Sequence, residues 1–209
     1  MYHHDVPLTL ISTETWGRIP TDAECRAWWE TYGMLDHIKV HSELVADVAT
    51  TLAVLAADRG LGNPCGLSRK DFIQSVRAAG LLHDLGKTYS ITHNGNHSQL
   101  GAAWVMELIR NPHIAQGVVH HVYWPGPLDL EKHLLPLAVI YGDKRVKHDA
   151  IVGMEERFAD LLDRYGHTER SREWITRAHN QGRELEQLFS TFLGEDIHAY
   201  PFDSRRMVR

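Results

Sequence analysis

The sequence predicts an all-α fold that forms one domain. Apolar residues recur at steps of three and four positions along most of the chain, which is the spacing of one helix face. Capping residues and short stretches rich in glycine or proline separate these segments. Strand-like alternation of apolar and polar residues does not extend over four or more positions in competition with this pattern. The 209 residues fit a single domain of ordinary size.

The first elements are predicted to be an extended lead-in and two helices. Residues 1–20 show no sustained period and are expected to form the lead-in. Thr21 and Glu24 have the spacing of a capping box, so we expect a helix to begin there and to end at Gly33. Residues 35–59 have strong helical periodicity and predict the second helix.

The central part of the chain is predicted to contain three helices separated by loops. The stretch 60–67 contains glycines and a proline and is expected to be a loop, after which Ser68 caps a helix. Residues 86–96 contain glycines and polar side chains and are expected to form another loop. Helices are predicted at about residues 97–110 and 112–122.

The last part of the chain is predicted to be helical as well. The sequence WPGP at residues 124–127 interrupts the chain before a helix that is expected over residues 134–146. Two amphipathic helices are predicted after it, at about residues 150–165 and 168–193.

The composition is typical of a soluble globular protein with a moderate negative charge. Apolar residues make up 43% of the chain, charged residues make up 23%, and the formal net charge is −5. Surfaces that bind nucleic acids normally carry clustered positive charge, so no nucleic-acid duplex is expected as a partner. A small phosphorylated substrate held by a few local cations is compatible with this charge.

Cysteine usage and hydropathy favour a cytoplasmic protein without metal–thiolate chemistry. Neither Cys25 nor Cys65 belongs to a CxxC pair, which excludes a zinc–thiolate cluster. The first ten residues, MYHHDVPLTL, lack the basic and apolar segments of a signal peptide. No apolar stretch approaches the roughly 18 residues that cross a bilayer, so no membrane association is expected.

The chain has fifteen histidines, and several of them lie at predicted helix ends, as do some aspartates. Neutral imidazoles and carboxylates are the nitrogen and oxygen ligands that first-row divalent metals accept. Each histidine taken alone is more often a cap or a surface residue than a ligand. The candidate metal ligands are His41, His83, Asp84, His97, His120, His121 and Asp143.

Asp143 is the least easily explained of these candidates. It follows Val139 and Ile140 in an apolar helical run, so its side chain is expected to be at least partly buried. A buried carboxylate needs a partner or a metal ion. An ion pair with Lys144 or Arg145 is the alternative to metal binding.

Three segments of the chain resemble the ligand-bearing helices of a known family. HSELVADVA surrounds His41, AAGLLHDLGK contains His83 and Asp84, and AVIYGDKRV contains Asp143. This order of residues resembles the HD-domain superfamily of metal-dependent phosphohydrolases, over residues 35–150. The resemblance implies a single helical HD-domain bundle with peripheral N- and C-terminal helices, and a site for a divalent ion.

The resemblance also implies how the chain is organised. Residues 1–34 would be a lead-in and a helix packed on the core, residues 35–150 the HD-type metal-binding core, and residues 151–209 C-terminal helices of the same domain. The state of association stays open, because apolar residues of the last helix such as Phe189 and Phe192 could pack against a second copy in a homodimer.

Further histidines resemble the additional ligands of dinuclear members of the superfamily. One histidine follows the histidine–aspartate pair in those members and another precedes the last aspartate. His97 and either His120 or His121 resemble these positions, and Asp84 would bridge two ions. The implied cofactors are one or two divalent transition-metal ions, for which iron, manganese, nickel, cobalt and zinc are suited and magnesium is an alternative. The segment VYWPGP after the histidine pair lacks the GYP signature of cyclic-dinucleotide phosphodiesterases.

The chemistry that the resemblance implies is hydrolysis of a phosphoester or phosphoanhydride bond by a metal-bound hydroxide. Asp84 would orient the nucleophile, and Lys87 would be catalytic and bind a phosphate oxygen. Lys144 and Arg145 are candidates for phosphate binding, and Trp124 for stacking on a nucleobase. Each of these residues has an alternative interpretation as a surface or packing residue. A nucleotide is the favoured small phosphorylated substrate.

Two other functions remain open from the sequence. A minority of the superfamily are diiron oxygenases with nearly the same six ligands, so an oxygenase is one alternative. A nucleotide-binding regulator without turnover is the other, and it is disfavoured because every expected type of ligand is present.

Overall fold

A computed structural model describes residues 17–202 as a helical bundle with one short β-hairpin, which confirms the all-α class. The lead-in expected for residues 1–20 falls mostly on residues 1–16, which lie outside the described residues. The helices are α1 (Asp22–Thr31), α2 (Asp36–Asp58), α3 (Arg69–Leu82), α4 (Lys87–His93), α5 (His97–Ile109), α6 (Pro112–His120), α7 (Leu130–Asp143), α8 (Met154–Tyr165) and α9 (Glu169–Leu193). The strands are β1 (Val146–Lys147) and β2 (Ala150–Ile151).

The helix starts with capping residues were predicted correctly. Thr21 forms a reciprocal capping box with Glu24 at the start of α1, because each side chain binds the backbone N–H of the other residue. Ser68 accepts a hydrogen bond from the backbone of Asp71 at the start of α3. These caps satisfy N–H groups that have no partner within the first turn of a helix.

The loop predicted over residues 86–96 is wrong in its first part, because residues 87–93 form α4. None of the residues of α4 is buried. A helix without a buried face shows no apolar stripe in the sequence, and periodicity therefore could not reveal it. Its position next to Asp84 makes it part of the environment of the candidate site.

The hairpin is the second departure from the prediction, which contained no strands and started a helix near residue 150. Val146 pairs with Ile151, and Lys147 pairs with Ala150, in an antiparallel register. Strands of two residues are too short to show alternation. The hairpin reverses the chain after α7 and determines where α8 begins.

Helix α2 lies at the centre of the bundle and packs mainly against α3 and α7. Helix α6 contacts α3, α5 and α7, whereas α8 and α9 pack on each other and α9 also contacts α7. Within residues 17–202, α2 alone is long and apolar enough to cross a membrane, but 61% of its apolar window is buried. Such burial is typical of a helix packed in the core of a bundle.

The closest approach of α2 and α3 depends on Gly80. A Cβ atom on Gly80 would lie 2.6 Å from the Cα atom of Ala46 on the neighbouring helix. We therefore expect Gly80→Ser to force the two helices apart and to lower the free energy of unfolding by about 1–3 kcal/mol. For a domain of this size the melting temperature should fall by about 2–12 °C, measured by circular dichroism.

The same substitution at Gly153 provides a matched control. A Cβ atom there meets no atom within 4 Å, and its φ of −67° is open to any residue. Gly153 is the N-cap of α8, where serine is favoured, so Gly153→Ser should leave the melting temperature unchanged or raise it slightly. Equal effects of the two substitutions would contradict the importance of the α2–α3 contact.

Candidate metal centre

Helix ends bring histidine and aspartate side chains together on one side of α2. His41 lies in the second turn of α2, His83 and Asp84 follow the last residue of α3, and His97 is the first residue of α5. His121 is the C-cap of α6. Asp143 is the last residue of α7. The six side chains come from five separate places along the chain, so the bundle has to form before they can meet.

Gly86 allows the turn after α3 to approach α5. A Cβ atom on Gly86 would lie 2.5 Å from the carbonyl oxygen of His97 and 2.9 Å from the backbone nitrogen of Gly101. Only a residue without a side chain permits this contact. The contact places the start of α5, with His97, beside the turn that carries Asp84.

Two of the imidazoles are each oriented by a hydrogen bond from Nδ1–H to a backbone carbonyl oxygen. Nδ1–H of His83 donates to the carbonyl oxygen of Gly80, and Nδ1–H of His121 donates to that of Val118, both at 2.7 Å. A carbonyl oxygen only accepts, so Nδ1 carries the proton in each ring. Nε2 of each neutral ring is then a free lone pair, which is the state of a metal-binding histidine.

Asp84 lies at the middle of the cluster and is fully buried. Its Oδ1 atom is 3.4 Å from Nε2 of His97 and 3.5 Å from Nε2 of His121. Its Oδ2 atom is 3.4 Å from Nε2 of His83 and accepts a hydrogen bond of 2.7 Å from Nζ of Lys87. The carboxylate therefore faces one group of nitrogens with each of its oxygens.

The unpaired atoms of the cluster fit a divalent cation. Nε2 of His83 and Oδ1 of Asp84 are buried and have no hydrogen-bond partner among residues 17–202. Buried polar atoms without a partner are costly, and a metal ion would satisfy both. His41, His83 and Asp84 form one group whose ligand atoms lie within 4.8 Å of one another, and Asp84, His97 and His121 form a second. Asp84 belongs to both groups.

Asp143 joins the first group through His41. Its Oδ1 atom is 3.0 Å from Nε2 of His41, and the carboxylate also faces the guanidinium of Arg157 at 3.6 Å. The nitrogen-to-nitrogen distance between His97 and His121 is 3.1 Å. Adjacent ligands of one ion lie at about this separation when metal–nitrogen bonds are about 2.0–2.1 Å long.

The protonation states favour metal binding by the histidines. Burial, reinforced by the charge of His83, lowers the pKa of His121 to about 3. Burial also lowers the pKa values of His41 and His97, although Asp143 and Asp84 respectively oppose it. These three rings are neutral at pH 7, and neutral imidazole is the form that binds metals.

The two carboxylates create a demand for positive charge. Burial alone would raise the pKa of Asp84, but the charges of His83 and Lys87 outweigh it and hold this pKa well below its usual range. The pKa of Asp143 is likewise held low, against burial, by His41 and Arg157. At His83 the carboxylates outweigh burial and raise the pKa. A divalent cation would likewise compensate the negative charge of the two carboxylates.

Comparison with known proteins agrees with this geometry. Residues 38–165 match the HD domain, and the match covers more than half of the chain. The chain belongs to the HD-domain superfamily of metal-dependent phosphohydrolases. The match runs past residue 150 and includes α8, whereas the division of the chain at residues 34 and 150 stays a prediction.

A curated relative of this HD-domain protein is Ribonuclease Y from Protochlamydia amoebophila (strain UWE25). The two sequences are 28% identical over 163 residues, which is 78% of this chain and 25% of the relative. The chain therefore spans about a quarter of the length of that relative. No solved structure matches the chain significantly.

Among the two adjacent histidines of this HD domain, the structure brings His121 to the cluster and not His120. The ring of His120 is half-buried and lies edge-on to Trp124 at 5.2 Å. Trp124 is 1% exposed, and its Nε1–H donates to the carbonyl oxygen of Pro127. Both faces of this indole are thus enclosed, so the structure does not present it for stacking on a nucleobase.

The two basic residues after Asp143 form their hydrogen bonds outside the cluster side chains. Nζ of Lys144 donates to the carbonyl oxygen of Val122 at 2.9 Å, and burial together with Arg157 lowers its pKa to about 8 against the opposing effect of Asp143. Arg145 is 6% exposed. Its guanidinium hydrogen bonds go to Tyr141, Val152 and Ile197. Both cations have structural partners, and the phosphate-binding role expected for them stays a prediction.

Lys87, by contrast, lies where the sequence motif implies. Its side chain is 36% exposed, and its ammonium contacts Oδ2 of Asp84. An ammonium has three N–H donors, so one hydrogen bond to Asp84 leaves donors for a further acceptor. Lys87 therefore contacts the cluster and keeps N–H donors that Asp84 does not use, whereas its binding to a substrate stays a prediction.

Arg157 on α8 is a residue of the site that sequence reasoning missed. It contacts Asp143 although fourteen positions separate them along the chain. The sequence shows α8 as an amphipathic helix, and arginine is common on the polar face of such helices. A charged residue that is only 8% exposed was not distinguishable from a solvated one by pattern alone.

The apolar residues of α9 that were considered for a homodimer lie against the protein's own core. Phe189 is fully buried, and Phe192 packs partly buried on the same core. A homodimer stays a prediction without these residues as its basis. A surface groove of about 600 Å³ lies along the polar face of α9 and is lined by none of the cluster residues.

Proposed function

We propose that this protein hydrolyses a phosphoester or phosphoanhydride bond in a nucleotide or another small phosphorylated compound, in the cytoplasm. The observation that carries the proposal is the pair of ligand groups that share Asp84, together with two of their buried atoms that have no hydrogen-bond partner in the described part of the chain. Divalent ions bound there would supply hydroxide near neutral pH and withdraw charge from phosphoryl oxygens. The HD-domain family membership supports the same reaction class.

The residues of the chain have distinct parts in this proposal. The Nδ1–H groups of His83 and His121 are bound to backbone carbonyls, so the Nε2 atom of each ring faces the cluster. Asp84 connects the two groups of ligands, and Lys87 holds its Oδ2 atom while keeping donors for a phosphate oxygen. His97 is 27% exposed and lies at the open side of the cluster, where a substrate would enter.

A small substrate is inferred from the charge of the protein and not from the shape of a pocket. The chain carries a net charge of −5, and polyanions bind through many phosphate contacts with basic side chains. Lys87 is the cation that the structure places at the cluster with donors to spare. This supports a substrate with few phosphates. Since the curated relative is named a ribonuclease, RNA is the substrate to test against this proposal.

The experiment is a substrate screen with protein loaded with Mn²⁺ or Fe²⁺, in air and without oxygen. Release of phosphate or of a nucleoside monophosphate at equal rates in both atmospheres is the expected result. Substrate-dependent oxygen uptake by the iron-loaded protein would instead identify an oxygenase. Cleavage of a labelled single-stranded oligoribonucleotide, without turnover of small nucleotides, would contradict the proposed substrate class.

The proposed second ion can be tested through His97. His97→Ala removes a nitrogen from the second group only, so the variant should lose one of two bound Mn²⁺ ions and keep the other. Metal content after gel filtration measures this directly. His93→Ala is the control, because His93 is exposed, stacks on Tyr89 and belongs to neither group. The same metal content in wild type and His97→Ala would refute the second ion.

A further inference from the structure

A buried arginine outside the ligand-bearing helices contacts the last ligand of the cluster at two points. Nε–H of Arg157 donates to the backbone carbonyl oxygen of Asp143 at 3.3 Å. Its Nη2 atom lies 3.6 Å from Oδ1 of the same residue. Arg157 therefore contacts both the main chain and the carboxylate of Asp143.

This double contact matters because Asp143 stands at the end of a helix. The last residue of α7 is held by fewer helix hydrogen bonds than a residue in the interior. Its side chain has one other near neighbour in the cluster, Nε2 of His41 at 3.0 Å. A planar guanidinium with fixed donor directions restricts both the carboxylate and the backbone that carries it.

Arg157 is itself held in place by the local fold. Its Nη1 donates to Oδ2 of Asp160, one turn further along α8, at 3.4 Å. Met154 and Phe158 are buried on either side of it and attach α8 to the bundle. The hairpin between α7 and α8 determines the register of α8, because the backbone nitrogen of Val152 donates to the carbonyl oxygen of Arg145 at 2.7 Å.

Each of the two carboxylates of the cluster is thus contacted by one basic side chain from a neighbouring helix. Asp84 is contacted by Lys87 from α4, and Asp143 is contacted by Arg157 from α8. Lys87 is 36% exposed and can also reach a substrate, whereas the side chain of Arg157 is 10% exposed and has all of its contacts within the protein. The burial of Arg157 fits a residue that orients Asp143 better than a residue that contacts a substrate from solvent.

We propose that Arg157 is a positioning residue that holds Asp143 in its metal-binding orientation, with Asp160 holding Arg157. The inference rests on the metal centre of the proposed function and extends it to a helix that carries no ligand. Partners that orient metal ligands contribute to affinity because a misplaced ligand must be reordered when the ion binds.

The test is the affinity of metal-free protein for Mn²⁺, measured by calorimetry. Arg157→Gln should weaken the binding of Mn²⁺ by about 10–100-fold. Arg157→Lys keeps the charge but cannot bind the carbonyl and the carboxylate together, so its affinity should lie between those of wild type and Arg157→Gln. Asp160→Asn should weaken binding less than Arg157→Gln, because it loosens Arg157 without removing it.

Arg164→Gln is the matched control. Arg164 lies on the same helix and pairs with the same Oδ2 atom of Asp160, at 3.6 Å, but it is 42% exposed. The control should bind Mn²⁺ as wild type does. If Arg157→Gln does not fold, Arg157→Lys and Asp160→Asn carry the test, since both should bind Mn²⁺ more weakly than Arg164→Gln.

The outcomes separate this inference from the function on which it rests. Wild-type affinity in Arg157→Gln, or tighter binding, would overturn the positioning role, since tighter binding would mean that the arginine competes with the ion. Lower thermal stability with unchanged affinity would likewise assign Arg157 to the fold alone. Wild-type protein that binds no Mn²⁺ would contradict the metal centre itself, together with the positioning role.

Discussion

Asp84→Ala should abolish hydrolysis and remove bound metal while leaving the helical content of the protein intact. Asp84 is the residue that both ligand groups share, so its loss removes a carboxylate from each group at once. An ion that lowers the pKa of water and neutralises phosphoryl charge contributes several kcal/mol, so we expect activity to fall at least about a thousand-fold. Metal analysis, phosphate release and circular dichroism on the same preparation measure the three effects.

Two further variants are controls for the loss of metal and activity that is expected in Asp84→Ala. Asp84→Asn keeps the volume of the side chain and removes its charge, so it should lose most of the bound metal as well if the charge is what matters. Asp163→Ala removes an exposed carboxylate from α8 and should change neither metal content nor activity. Turnover near the wild-type rate in Asp84→Ala would end the case for hydrolysis at this cluster.

Much of the site could be predicted because its ligands lie at helix ends that the sequence marks. Caps, breaks and apolar periods located α2, α3, α5, α6 and α7 to within a few residues. A helix end positions a side chain where the chain turns, and this is how the adjacent His83 and Asp84 can face one centre. The fold brings those helix ends to one side of α2. The motif order HD…D in the sequence predicted this convergence.

The choice between His120 and His121 required the structure. Neighbouring residues on a helix point about 100° apart, so one of them faces the cluster and the other cannot. The sequence does not contain the rotation of α6 about its axis, because that angle depends on packing against α3, α5 and α7. His121 turned inwards and binds the Val118 carbonyl, whereas His120 packs on Trp124.

The cations illustrate the limit of reasoning from adjacency in the sequence. Lys144 and Arg145 follow a proposed ligand directly, yet both of them donate hydrogen bonds to backbone carbonyls, those of Val122 and Val152 respectively. Arg157 is distant in sequence and reaches Asp143 only because a hairpin of two-residue strands folds α8 back. Such a contact depends on tertiary geometry, and no local pattern in the sequence encodes it.

Arg145→Ala tests whether Arg145 stabilises the fold or binds phosphate. These two roles predict different changes in melting temperature and in KM. Its buried guanidinium donates to the backbone carbonyls of Val152 and Ile197 and to the hydroxyl of Tyr141. It also lies 3.5 Å from the carboxylate of Glu186. Removing one partner of a buried ionic network leaves the others unsatisfied, which costs about 3–5 kcal/mol.

We expect the melting temperature of Arg145→Ala to fall by about 6–20 °C, which is the effect of such a loss on a domain of this size. Arg59→Ala is the control, because Arg59 pairs with Glu195 at 2.7 Å while both side chains are about one-third exposed. An exposed pair contributes about 0–1 kcal/mol, so the control should melt close to wild type.

Kinetics at a temperature where the Arg145→Ala protein is folded complete the comparison. A structural arginine that does not touch the cluster predicts unchanged Mn²⁺ content and an unchanged KM for the substrate identified by the screen. An arginine that grips phosphate predicts a raised KM with an almost unchanged melting temperature, since the loss would occur in the complex and not in the free protein. The second result would contradict the hydrogen bonds that fix Arg145 between α7, the hairpin and the end of α9.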